Sequence, residues 1–126
     1  MNNFITSIHD IEQYKLKEEY ILQTVAQITK DFGMFGYDVS FSGNTITAYQ
    51  ELFTQLYACI ENYYQNSLST LWSLLYQIDV SEKVIAEAQK AHADWTITEV
   101  ITELVIYREL RKVITRNYYK NNPDKL

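Results

Sequence analysis

One cysteine, one proline and three glycines are all this 126-residue chain holds of the residues that staple, break or loosen a backbone. The single thiol, Cys59, cannot close a disulfide within the chain, so the fold must be held by packing, as is usual in a reducing cytoplasm. Pro123 lies beyond the last periodic segment and interrupts no helix. Positive charge is also short. Eleven Lys and Arg against 16 Asp and Glu leave a net charge of -5, which opposes sequence-independent binding to nucleic acid or anionic lipid, since both require positive charge at the contact. No apolar run approaches the roughly 20 residues of a membrane helix. The opening "MNNFITSIHDIEQYK" lacks the basic leader and apolar centre of a secretory signal. These absences predict a cytoplasmic chain that neither spans a membrane nor is exported by that route.

What the chain does have is helical period. Ile11, Tyr14, Ile21, Val25, Ile28 and Phe32 recur by threes, fours and sevens and predict a helix over residues 4–32 that stops at Gly33. Tyr49, Leu52, Phe53, Leu56, Tyr57, Ile60, Tyr63 and Tyr64 predict a second helix to residue 64, opened by a Thr47–Gln50 capping box. A third, over residues 68–78, should turn Leu68, Leu71, Trp72, Leu75 and Ile78 inward. A fourth, capped by Ser81, carries Val84, Ile85, Ala88 and Ala91, and a Thr96–Glu99 capping box opens a last helix to residue 119. The expected fold is all-α: a single domain spanning residues 1–126, an antiparallel bundle of about five helices with a glycine-rich loop between the first two. "ENYYQN" and "RNYYKN" echo one another, but their flanks differ and no repeat follows.

The loop "DFGMFGYDVSFSGN" contains every glycine. Its first three letters are those of the kinase metal-binding motif, yet the glycine-rich phosphate loop, strand lysine and catalytic loop of a kinase are missing, so Asp31-Phe32-Gly33 reads as a helix end. Tyr37, Val39 and Phe41 alternate with polar residues at strand period. Such a segment can fold back on Met34-Phe35 as a hairpin, lie across the bundle with its rings inward, or pair with the same segment of a second copy.

In the last helix, Ile97, Val100, Ile101, Leu104 and Val105 mark one face, whereas Ile106, Leu110, Val113 and Ile114 point nearly opposite. Either the helix threads between different neighbours or another molecule covers its end. Charge divides at the same place: residues 1–106 carry 5 Lys and Arg against 14 Asp and Glu, residues 107–126 carry 6 against 2. Arg108, Lys112, Arg116 and Lys120 recur every four residues beside Arg111. This ridge either offsets the helix dipole and pairs with neighbouring acids, or receives a partner. The candidate interface is therefore Arg108, Leu110, Arg111, Lys112, Val113, Ile114, Arg116 and Tyr118, with Tyr37, Val39 and Phe41 as a second surface.

Catalytic chemistry is thinly represented. His9 and His92 have neither metal-ligand spacing nor a preceding arginine, Glu18-Glu19 lacks the further carboxylates of a magnesium site, and Cys59 has no basic neighbour in sequence. No cofactor or metal is expected. The sequence predicts an interaction or regulatory module that associates with itself or another protein. The alternative is a small ligand-binding protein or enzyme with a pocket lined by Tyr57, Tyr64 and Trp72, and a third reading is a nucleic-acid accessory protein acting through the basic helix.

Overall fold

The computed structural model describes residues 8–125, with side chains for residues 17–124. Five helices follow in order: α1 (Ile8–Gly33), α2 (Ala48–Asn66), α3 (Leu68–Ile78), α4 (Glu82–Ala91) and α5 (Ile97–Asn121), closed by a 3-10 turn at Pro123–Lys125. Among the described residues there is no strand and no helix long and apolar enough to cross a membrane. The all-α bundle expected from the sequence is the observed architecture. Residues 4–7 and the side chains of His9, Ile11 and Tyr14 lie outside the described residues.

Local chemistry sets most of the boundaries. The Ser81 hydroxyl accepts the Val84 amide at 3.2 Å, opening α4. Thr96 and Glu99 form the reciprocal box: the Glu99 amide donates to the Thr96 hydroxyl and the Thr96 amide to the Glu99 carboxylate. The Thr47–Gln50 box does not form. The Thr47 hydroxyl donates instead to Glu51 Oε2 at 2.6 Å, one turn further on, because that carboxylate is already the anchor of the preceding loop. At the end of α3, the Asp79 and Val80 amides both donate to the Leu75 carbonyl, with Asp79 at φ 73°, a left-handed cap usually given to glycine.

The core is centred on α5, which packs against all four other helices. Ile28 and Phe32 of α1, Leu56 and Ile60 of α2, and Leu71, Leu75 and Ile78 of α3 meet Ile101 and Val105 of α5. Trp72 and Leu68, expected inward, are exposed, while Leu74 is fully buried. In three turns as apolar as "LSTLWSLLYQI" the period cannot say which stripe wins, and the neighbours decide. In α4 only Ile85 is buried, with Val84 exposed.

The loop after α1 turns at Gly36, φ 83°, which lets the Tyr37 amide reach the Phe32 carbonyl at 3.1 Å; Gly33 remains within the helix. Met34 and Phe35 belong to this turn, so the hairpin does not form. Residues 37–42 then run along α2. Tyr37, Val39 and Phe41 pack against the core with their alternates exposed. Gln55 takes the place of a neighbouring strand, its side-chain amide accepting from the Ser40 amide at 2.8 Å and donating to the Ser40 carbonyl at 2.7 Å. One turn earlier, Glu51 accepts from the Ser42 amide and hydroxyl, which together with Thr47 holds its carboxyl below the usual range.

Candidate functional site

A groove of about 880 Å³ runs between the connection from α3 to α4 and the second half of α5. Val80, Val84, Leu104 and Tyr107 give it an apolar floor, and Arg108, Arg111, Lys112 and Arg116 supply positive charge against the one acid of the lining, Asp79. Helical spacing explains the gathering, since residues 104, 108, 111 and 115 share one face and 112 and 116 flank it. The opposite wall exists because the left-handed turn at Asp79 reverses the chain into α4. Arg108 clamps that turn, bonding the Asp79 carboxylate at 3.0 Å and its carbonyl at 3.3 Å.

The four cations are unequally engaged. Arg108 is paired with Asp79. Lys112 reaches inward, its ammonium 3.1 Å from Glu109 Oε1 and 3.8 Å from Asp31 Oδ2. Arg116 donates to the neutral Gln27 Oε1 at 3.1 Å. Arg111 is exposed with its guanidinium 6.0 Å from the centre of the Tyr107 ring, and among the described residues it meets no carboxylate. Among the described residues, two guanidinium groups thus face the groove without an acidic partner.

Behind the groove lies a buried carboxyl pair. Glu109 is wholly buried and Asp31 nearly so. Both Asp31 oxygens accept from Gln27 Nε2 at 3.2 Å, whereas neither Glu109 oxygen receives a well-aligned hydrogen bond, Lys112 being an ion-pair neighbour. Burial, reinforced by the adjoining Asp31 carboxyl, pushes the Glu109 carboxyl up to about 8 against the pull of Lys112. At neutral pH Glu109 therefore holds its proton. A continuous polar path results, from Arg116 through Gln27 to Asp31, and from Asp31 and Glu109 back through Lys112 to the groove.

The sequence candidates separate into groups. Arg108, Arg111, Lys112 and Arg116 come together in the groove. Val113 is fully buried and offers nothing to a second molecule in this state, while Ile114 and Tyr118 are exposed outside the groove. Leu110 lies on another side, lining an apolar cleft of about 160 Å³ with Ile21, Leu52 and Ile106, rimmed by the exposed Ile46. Tyr37, Val39 and Phe41 are half-buried along α2. Tyr57 stacks on Phe53 and is half-buried, Tyr64 and Trp72 are exposed, and none of these three lines either cavity. Asp31, Asp79 and Glu109 were not singled out from the sequence as site residues. Glu109 could have been, for it stands one turn from both Val105 and Val113, an acid within a buried ladder.

Other reactive groups are engaged in packing. Burial pushes the Cys59 thiol up, away from thiolate, and the His92 ring stacks on Trp95 at 4.0 Å. Among the described residues no three His, Cys, Asp or Glu side chains converge as metal ligands. No known protein family matches the sequence, and neither does any curated protein or solved structure.

Proposed function

We propose that this chain is a protein-interaction module whose basic groove receives an acidic, partly apolar segment of a partner protein. The observation that carries this reading is the pairing of an apolar floor with Arg111 and Arg116, which face the groove and meet no carboxylate among the described residues. Guanidinium groups over apolar surface suit carboxylate side chains spaced by apolar ones. Nucleic acid suits the groove less well. Residues 1–106 carry 14 Asp and Glu against 5 Lys and Arg, so a long polyanion meets repulsion beyond the groove, whereas a short segment does not. The acidic body of a second copy has the same chemistry as such a segment.

The test is titration of a fluorescent peptide of alternating Glu and Leu at low and high salt, against the chain and against Arg111→Glu and Arg116→Glu. Each reversal should weaken binding at least about tenfold, equivalent to 1.4 kcal/mol, and salt should weaken it further. Both substitutions lie at exposed positions, so circular dichroism should remain unchanged. Binding that ignores both reversals places the ligand elsewhere and refutes the groove. Light scattering over a hundredfold concentration range decides whether a second copy is the occupant, since that case predicts a mass that rises with concentration and falls with Arg111→Glu.

A further inference from the structure

We propose that filling the basic groove with an acidic segment is coupled to uptake of a proton by the buried Asp31–Glu109 pair. This inference rests on the groove being an acidic-segment site and concerns how that site is regulated. Its basis is the double duty of Lys112. Lys112 lines the groove, and its ammonium is the counter-ion of the buried pair, 3.1 Å from Glu109 and 3.8 Å from Asp31. A second link runs from Arg116 in the groove through Gln27 to both oxygens of Asp31.

Charge counting then gives the coupling. Two ionised carboxylates against one ammonium leave the buried cluster negative, in surroundings that water does not reach. A carboxylate arriving on the groove side of Lys112 adds negative charge next to that excess. A proton from solvent, settling between Glu109 and Asp31, removes it. No covalent bond changes, and the proton is released again when the segment leaves. By reciprocity, a protonated pair leaves Lys112 less neutralised and the groove more positive, so the proton and the acidic segment each strengthen the binding of the other. Among the described residues the charged groups acting on Glu109 are Asp31 from α1 and Lys112 from α5 itself.

The pH window follows. With the groove empty, Glu109 loses its proton around pH 8. In the filled state the proton is held to higher pH, so affinity is greatest below that value and declines as pH rises through it. Between pH 7 and 9 peptide glutamates stay ionised and arginines stay charged, so neither confuses the reading.

Calorimetric titration of the Glu–Leu peptide at pH 8, in two buffers of different ionisation enthalpy, should give apparent enthalpies that differ by the uptake of a fraction of a proton. Affinity should fall roughly two- to fivefold from pH 7 to 9, the part of a pKa difference of about half to one unit that this interval spans. Glu109→Gln should take up no proton, bind equally at both pH values and match the original chain at pH 7. Peptide binding without proton uptake, or the same uptake in Glu109→Gln, overturns the coupling and leaves the groove intact. No peptide binding in either protein overturns both. Should Glu109→Gln fail to fold, the buffer pair on the unaltered chain decides alone.

Discussion

Replacing Glu109 with glutamine should make the protein more stable at neutral pH, although it removes a buried charge partner of Lys112. The side chain is fully buried, and its carboxyl titrates at about 8 in the fold against an ordinary 4.5. In the unfolded chain at pH 7 the same carboxylate is ionised, so folding must bind a proton. Carrying it from 4.5 to pH 7 at about 1.4 kcal/mol per pH unit costs about 3 kcal/mol. Because the folded value is the raised one, this cost is nil below pH 4.5, grows with pH, and levels off above 8. Glutamine is neutral and nearly isosteric, needs no proton, and carries an amide able to donate to the neighbouring Asp31 carboxylate. Urea unfolding at pH 5 and pH 7 checks the argument. Glu109→Gln should gain roughly 2–3 kcal/mol on the original chain at pH 7 and under 1 kcal/mol at pH 5. A variant less stable at pH 7, or a difference that does not change with pH, would show that the carboxylate is ionised in the fold and that Lys112 fully compensates it.

Two further outcomes follow from the packing. Gln55→Ala removes both bonds that hold Ser40 to α2; it should cost about 1–2 kcal/mol and speed hydrogen exchange at the Ser40 amide, and unchanged exchange there would deny Gln55 its role as a surrogate strand. Val113→Asp places a charge at a fully buried position and should destabilise by more than about 3 kcal/mol, while Ile114→Asp at the adjoining exposed position should change stability by less than about 0.5 kcal/mol; similar thermal melts for the two would contradict the burial of α5.

The reach of the sequence is clearest where one local rule acts alone. The caps at Ser81 and Thr96 were legible because each satisfies free helix amides within its own turn. Thr47 departs from its capping box because its hydroxyl joins Ser42 on the Glu51 carboxylate, a contact settled by the loop's path. In α3 the all-round apolar composition left Trp72 and Leu74 indistinguishable. At the groove, Arg108, Arg111, Lys112 and Arg116 were visible as a ridge, but the wall facing them depends on a left-handed turn at Asp79 that nothing in "QIDVSE" demands. The apparent change of face along α5 resolves once Glu109 is counted as interior: Ile101, Val105, Glu109 and Val113 form one slowly drifting buried ladder. An acid in that series looks like the edge of an apolar face, and only the presence of Asp31 across from it makes it part of the core.

Because α5 follows α1 to α4 and packs against each of them, order of synthesis matters. A growing chain that has completed α1 to α4 has no cover for the faces that will meet Ile101 and Val105. At elongation rates of about 5–20 residues per second, that condition lasts for seconds. The contacts of α1 with α5 also join the most distant parts of the described chain, where loop closure is slowest to be repaid. The contacts of α5 therefore form after those among α1, α2 and α3, and until they do the nascent chain exposes apolar faces that the finished molecule covers.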